Sequence, residues 1–90
     1  MMYYVNIKIY KERRMAYYRR LRDLREDNDL TQEELVKILQ MHKTTYTNYE
    51  QGKREIPFEL VIRLAKLYNV SLDYIAELIQ TPKPLNRNEK

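Results

Sequence analysis

Five stretches of the chain place their apolar residues at helical spacing, and one places them at strand spacing. Tyr3, Val5, Ile7 and Ile9 alternate with Tyr4, Asn6, Lys8 and Tyr10, the period of a strand built from strand-favouring residues. Tyr17, Leu21 and Leu24 then recur at i, i+4 and i+7, predicting a helix from about Arg13 or Met15 to Asp27, ended by Asn28 and Asp29, which tolerate left-handed backbone. Leu35, Ile38 and Leu39 predict a second inward helical face. Thr31 and Glu34 supply its capping box, and Leu30 and Leu35 its hydrophobic staple. Periodicity breaks at Gln40-Met41-His42 and resumes with Tyr46 and Tyr49, which with Met41 can pack back onto the second helix. Phe58, Val61, Ile62 and Ala65 predict the core face of a fourth helix, with Pro57 in its first turn and Leu64, Leu67 and Tyr68 widening the apolar surface. Ser71 caps a fifth, with Val70 and Ile75 as staple and Leu72, Ile75, Ala76 and Ile79 facing inward, and Pro82 and Pro84 stop any continuation.

The third helix is unusual on its outer side. Thr44, Thr47, Asn48 and Gln51 form a continuous polar stripe at i, i+3, i+4 and i+7, with Lys43 beside it. Solvated helix faces are normally laced with Glu and Lys pairs, whereas this one carries short hydroxyl and amide groups that are poor helix formers. Such groups can meet base edges: Asn pairs with adenine, Thr touches the thymine methyl, and Lys reaches guanine or phosphate. By itself the stripe fits a base-reading surface and a short polar helix of no special role equally well.

Ninety residues suffice for one small domain. A single Gly and three Pro argue against a sheet rich in tight turns, so an all-helical fold is the expectation. The chain has no Cys, hence no disulfide framework and no thiolate metal site, and no stretch approaches a membrane span or a signal peptide; a cytoplasmic protein is expected. The net charge is +4 with a pI near 9.3, and its distribution says more. Residues 1–30 carry eight basic against five acidic side chains, whereas residues 55–80 carry two against four. That polarity can orient a domain on a polyanion.

The stretch Leu30-Thr31-Gln32-Glu33-Glu34-Leu35, followed by Tyr49-Glu50-Gln51-Gly52-Lys53-Arg54, resembles the Cro/C1-type (XRE) helix-turn-helix family of phage-repressor-like transcriptional regulators. The resemblance extends to Leu21-Arg22-Asp23-Leu24-Arg25 and to Leu64-Ala65-Lys66-Leu67-Tyr68-Asn69-Val70-Ser71-Leu72-Asp73, and covers roughly residues 17–79. Arg25 sits at the basic position that the family shows after its second Leu. The resemblance implies a five-helix, lambda-repressor-like all-α domain, placed over residues 13–80; residues 1–12, which do not match the family core, read as an N-terminal arm and residues 81–90 as a disordered tail. It further implies a dimeric repressor that reads a palindromic double-stranded DNA operator with its third helix. Lys43, Thr44, Thr47 and Asn48 would contact bases. Gln32, His42, Gln51, Lys53 and Arg54 would contact phosphates, with Gln32 also bracing Lys43. Three positions depart from the family pattern: Gln40 replaces the Gly of the turn, Val36 a small Ala, and His42 a Ser or Thr cap.

The arm, as a strand, would pair with its own copy across a two-fold axis; a disordered arm, or a cloning remnant upstream of a second start at Met15, is the alternative. Two other functions share the fold: the antitoxin of a toxin–antitoxin pair that autoregulates its operon and binds a toxin through arm or tail, and a protein-interaction module that does not bind DNA. Catalysis finds little support. His42 is the one His, no Gly-rich phosphate loop exists, and Asp73 with Glu77 is better explained as a solvated face than as a cation site. No cofactor and no metal are expected.

Overall fold

A computed structural model describes residues 17–84, and within them five helices follow one another without a strand. They are α1 (Arg20–Asp27), α2 (Gln32–Leu39), α3 (Lys43–Glu50), α4 (Phe58–Tyr68) and α5 (Leu72–Ile75). The arm, its proposed strand and residues 85–90 lie outside the described residues.

Local side-chain chemistry sets the starts of α2 and α5. The Thr31 hydroxyl accepts from the Glu34 amide at 3.0 Å while the Glu34 carboxylate accepts from the Thr31 amide at 2.9 Å, which completes the capping box. Ser71 accepts from the Tyr74 amide at 3.1 Å. Pro57 precedes α4 as its N-cap and does not enter the first turn.

All five helices stop in the same way. A left-handed residue follows each one, at Asp29, Gln40, Gly52, Asn69 and Glu77. The next amide bonds five residues back, as in Leu30 N–H to Arg25 O, Met41 N–H to Val36 O, Lys53 N–H to Asn48 O, Val70 N–H to Ala65 O and Leu78 N–H to Asp73 O. This is the six-to-one bond of the Schellman motif, which satisfies carbonyls that a helix end leaves orphaned. Gly52 alone reaches that conformation without a Cβ penalty; the other four helices end on a side-chain-bearing residue. Gln40→Gly is therefore expected to raise stability by roughly 0.5 kcal/mol, the relief of left-handed strain less the added freedom of the unfolded chain. Urea denaturation measures it, and a loss would show that the Gln40 side chain contributes more than its backbone costs.

The core gathers Leu21 and Leu24 from α1, Leu35, Val36 and Leu39 from α2, Tyr46 from α3, Leu60, Val61, Leu64 and Ala65 from α4, and Ile56, Val70 and Ile75 from the flanking segments and α5. Leu30, Met41, Tyr49 and Tyr68 pack against it. Arg63 Nη2 donates to the Leu39 carbonyl at 3.2 Å and ties α4 to the end of α2.

Several expected faces are displaced. α1 begins at Arg20, so Tyr17 is not helical, and its ring stands half exposed outside the core. On α2 the covered arc runs from Leu35 over Leu39 to Val36, which leaves Ile38 on the far side of Leu35, half exposed. On α4 the buried set is Leu60, Val61, Leu64 and Ala65; at 100° per residue this face is turned by about 80° from the one centred on Phe58, Val61, Ile62 and Ala65. Phe58 is exposed and Ile62 half-buried. α5 is a single turn, cut off by left-handed Glu77, so Ala76 is exposed and Ile79 only partly covered.

Two α1-proximal arginines hold the chain that follows α5. Arg20 Nη1 donates to the carbonyls of Tyr74 and Ile79 at 2.8 and 2.7 Å, and its guanidinium stacks 4.2 Å from the centre of the Tyr74 ring. Arg19 makes a two-pronged pair with Glu77 at 2.9 and 3.0 Å. These contacts fasten the start of α1 to α5 and the chain that follows it.

The Tyr68 hydroxyl is buried with no hydrogen-bond partner among the described residues. Burial, with the Glu50 charge behind it, pushes this phenol up to about 12. Tyr68→Phe removes an unsatisfied polar group without changing shape, so stability should stay level or rise by up to about 1 kcal/mol in chemical denaturation. A clear loss would show that the hydroxyl is bonded.

Candidate nucleic-acid interface

α3 presents its outer face because its inner face is fixed by two residues. Tyr46 is fully buried, and Glu50, one turn on, keeps only 3% of its side chain exposed. A carboxylate there is costly unless its oxygens are satisfied, and they are. Arg25 donates through Nε and Nη2 to the two Glu50 oxygens at 2.9 and 3.1 Å, Tyr46 donates its hydroxyl at 2.7 Å, and Gln32 donates Nε2 at 2.9 Å. Arg25 Nη1 also donates to the Leu30 carbonyl at 2.7 Å, so one guanidinium links α1, the α1–α2 turn and α3. Burial would raise the Glu50 carboxyl, but the hydrogen bonds from Arg25, Tyr46 and Gln32 outweigh it and hold the group below its ordinary range. The Tyr46 phenol is raised, by burial first and by donation to that carboxylate second.

The network reaches the surface through one more bond. Thr47 donates its hydroxyl to Gln32 Oε1 at 2.7 Å, so the chain Thr47–Gln32–Glu50–Arg25 ties the outer edge of α3 to α2 and α1. Gln32 therefore braces Thr47 and Glu50. Lys43, which Gln32 was expected to brace, lies instead 3.8 Å from Glu33, both side chains largely exposed.

The remaining site residues are distributed as follows. Lys43 and Thr44 are exposed in the first turn of α3, Asn48 is half exposed one turn later, and Gln51 is exposed just past its end. Thr47 is half-buried at the α2 side. His42 occupies the N-cap position in extended backbone with no side-chain bond to the helix, as its mismatch with a Ser or Thr cap suggests. Lys53 and Arg54 are exposed, and their amides both bond the Asn48 carbonyl at 2.9 and 3.3 Å, which folds the basic loop against the C-terminal end of α3. Gly52 turns this loop at φ +77°, with the Tyr17 ring so close that a Cβ would meet it at 3.0 Å. Lys43, Thr44, Asn48, Gln51, Lys53 and Arg54 thus lie along α3 and the loop that leaves it.

Glu50 was the residue that periodicity overlooked. Its signal was an acidic side chain one turn from Tyr46, on the arc that the tyrosine assigns to the core. Among the described residues no group of three or more His, Asp or Glu could hold a metal ion, and no helix is long and apolar enough to cross a membrane.

Residues 21–75, well over half of the chain, match a family described as helix-turn-helix. The chain belongs to the Cro/C1-type (XRE) helix-turn-helix family. The uncharacterized HTH-type transcriptional regulator YobD of Bacillus subtilis (strain 168) is 40% identical over 68 residues, 76% of this chain and 61% of that protein. The cryptic phage CTXphi transcriptional repressor RstR of Vibrio cholerae is 43% identical over 60 residues, 67% of this chain and 51% of RstR. The HTH-type transcriptional regulator ImmR of Bacillus subtilis (strain 168) is 33% identical over 61 residues, 68% and 48% of the respective chains. The chain thus spans about half to three-fifths of the length of these curated relatives. No solved structure gives a significant match. The helix-turn-helix of this family corresponds here to α2, the Gln40 turn and α3.

Proposed function

We propose that the chain is a DNA-binding transcriptional regulator, acting as a dimeric repressor on a palindromic operator in the cytoplasm. The observation that carries this reading is the outer face of α3: a row of short hydroxyl, amide and ammonium side chains, held at a fixed angle by the Arg25–Glu50–Gln32–Thr47 network and flanked by the Lys53–Arg54 loop. In the major groove Lys43, Thr44 and Asn48 would meet base edges, and Thr47 would offer its methyl group. Gln32, His42, Gln51, Lys53 and Arg54 would meet phosphates and set register without reading sequence.

Dimerisation follows from area. A single module of this kind buries only about 600 to 1,000 Å² on DNA, too little for selective occupancy in a genome. Two copies related by a two-fold axis would set their reading helices about 34 Å apart and require half-sites at that spacing. Repression by occluding polymerase fits a domain whose surface is used for DNA and a second copy, and RstR, one of its relatives, is named a repressor.

Selection of bound duplexes from a randomised pool, followed by sedimentation of the complex on the selected site, tests the reading. An inverted-repeat consensus bound by two copies is expected. Equal retention of all sequences would refute sequence-specific regulation, and one copy bound to an asymmetric site would refute the dimer.

A further inference from the structure

Around α3, with 100° between successive residues and the inward direction set by Tyr46 and Glu50, Thr44 and Asn48 point outward and two threonines flank them on opposite sides. They differ in what they have left to give. Thr47, on the α2 side, has donated its hydroxyl proton to Gln32 Oε1 and is half-buried. Thr45, on the other side, is exposed, and its hydroxyl makes no hydrogen bond among the described residues. With Asn48, Tyr49 and Arg54 it lines a shallow polar hollow between α3 and the basic loop.

We propose that Thr45 is a specificity-determining residue, reading a base pair on the Arg54 side of Asn48, and that Thr47 is a positioning residue acting through Gln32. The assignment rests on the DNA-reading function given above. An unspent hydroxyl beside a methyl group can accept or donate at a base edge and can also pack on a thymine methyl. Arg54, on the same hollow, would seat the adjoining phosphate, so the backbone grip and the base contact share one register. A hydroxyl already committed to a buried network has no donor to offer a base, and its loss would instead loosen the angle at which α3 is held.

The experiment is selection from a randomised duplex pool with the full chain and its variants, followed by titration on the wild-type consensus and on scrambled duplex. Thr45→Ala is expected to lower preference about fivefold at one position of each half-site, the low end of a single mismatch, with affinity for scrambled duplex unchanged. Thr45→Val, which keeps the shape and loses the hydroxyl, guards against an effect of the helix itself. Thr47→Val should weaken binding to all sequences and keep the consensus, and Thr47→Ser, which keeps the hydroxyl and loses only the methyl, should restore affinity for scrambled duplex. An unaltered consensus in both Thr45 variants, with wild type selecting a clear one, overturns the Thr45 assignment alone. If wild type selects no consensus, the DNA-reading function fails and this assignment falls with it.

Discussion

Arg25→Ala should destabilise the domain by about 3 to 5 kcal/mol at neutral pH, the cost of leaving a buried charge without its partner. The guanidinium supplies two of the four hydrogen bonds to Glu50 and the one to the Leu30 carbonyl. Gln32 and Tyr46 remain, but neither carries a charge. Against a total of about 5 to 15 kcal/mol for a domain, such a loss leaves little margin.

The pH dependence distinguishes this cause from lost packing. In the wild type the Glu50 carboxyl is held below its ordinary value, so its contribution is fully present above the unfolded carboxylate range and is lost as pH falls through the lower folded value. The partly covered Glu77, lowered first by its hydrogen bond from Arg19, acts with the same sign. Without Arg25, burial dominates and raises Glu50, so the variant regains stability on acidification as the carboxyl takes up a proton. Urea denaturation from pH 7 down to pH 4 should therefore show the gap between the two proteins narrowing. A gap that stays constant would mean that Arg25 acts through its bulk. Since the same carboxylate fixes α3, folded Arg25→Ala should also bind DNA more weakly on all sequences.

The second large effect concerns recognition. Asn48→Ala should cost about 1 to 3 kcal/mol at one base position and relax choice there, the loss that the base-reading role proposed for its amide entails. Arg54→Ala should weaken cognate and scrambled duplex alike and reduce the salt slope by about one phosphate contact. Titration of both duplexes at several salt concentrations separates the two. Equal loss on both duplexes for Asn48→Ala would remove it from base reading, and a discriminating loss for Arg54→Ala would move that residue from the backbone to a base edge. The half-exposed position of Asn48, with Arg54 across the hollow, is the geometry behind this contrast.

Much of the fold was legible because its signals are short. A capping box spans four residues, so Thr31 and Glu34 mark the start of α2 whatever the rest of the chain does. Ser71 does the same for α5, and the Gln40 turn follows from the break in periodicity. The faces of α2 and α4 were less legible for a simple reason. Phe58, Leu60, Val61, Ile62, Leu64, Ala65, Leu67 and Tyr68 surround most of α4, and periodicity cannot choose among overlapping arcs when nearly every arc is apolar. Packing chose the one through Leu60 and Leu64. The end of α5 was hidden as well: its predicted inward face continues to Ile79, yet a left-handed Glu77 and the Arg20 clamp on the Tyr74 and Ile79 carbonyls stop it after one turn.

The sequence by itself determined the helical segments, the turn between α2 and α3, the polar stripe on α3 and the basic loop after it, since each depends on residues within a few positions of one another. Only the tertiary structure decided that Arg25 and Glu50, 25 residues apart, meet in the interior, that Gln32 turns toward Thr47 and away from Lys43, and that Thr47 spends its hydroxyl on Gln32 while Thr45 stands exposed. Hydrogen bonds are short-ranged and directional, so which donor finds which acceptor is settled when the helices pack, and no spacing along the chain encodes it.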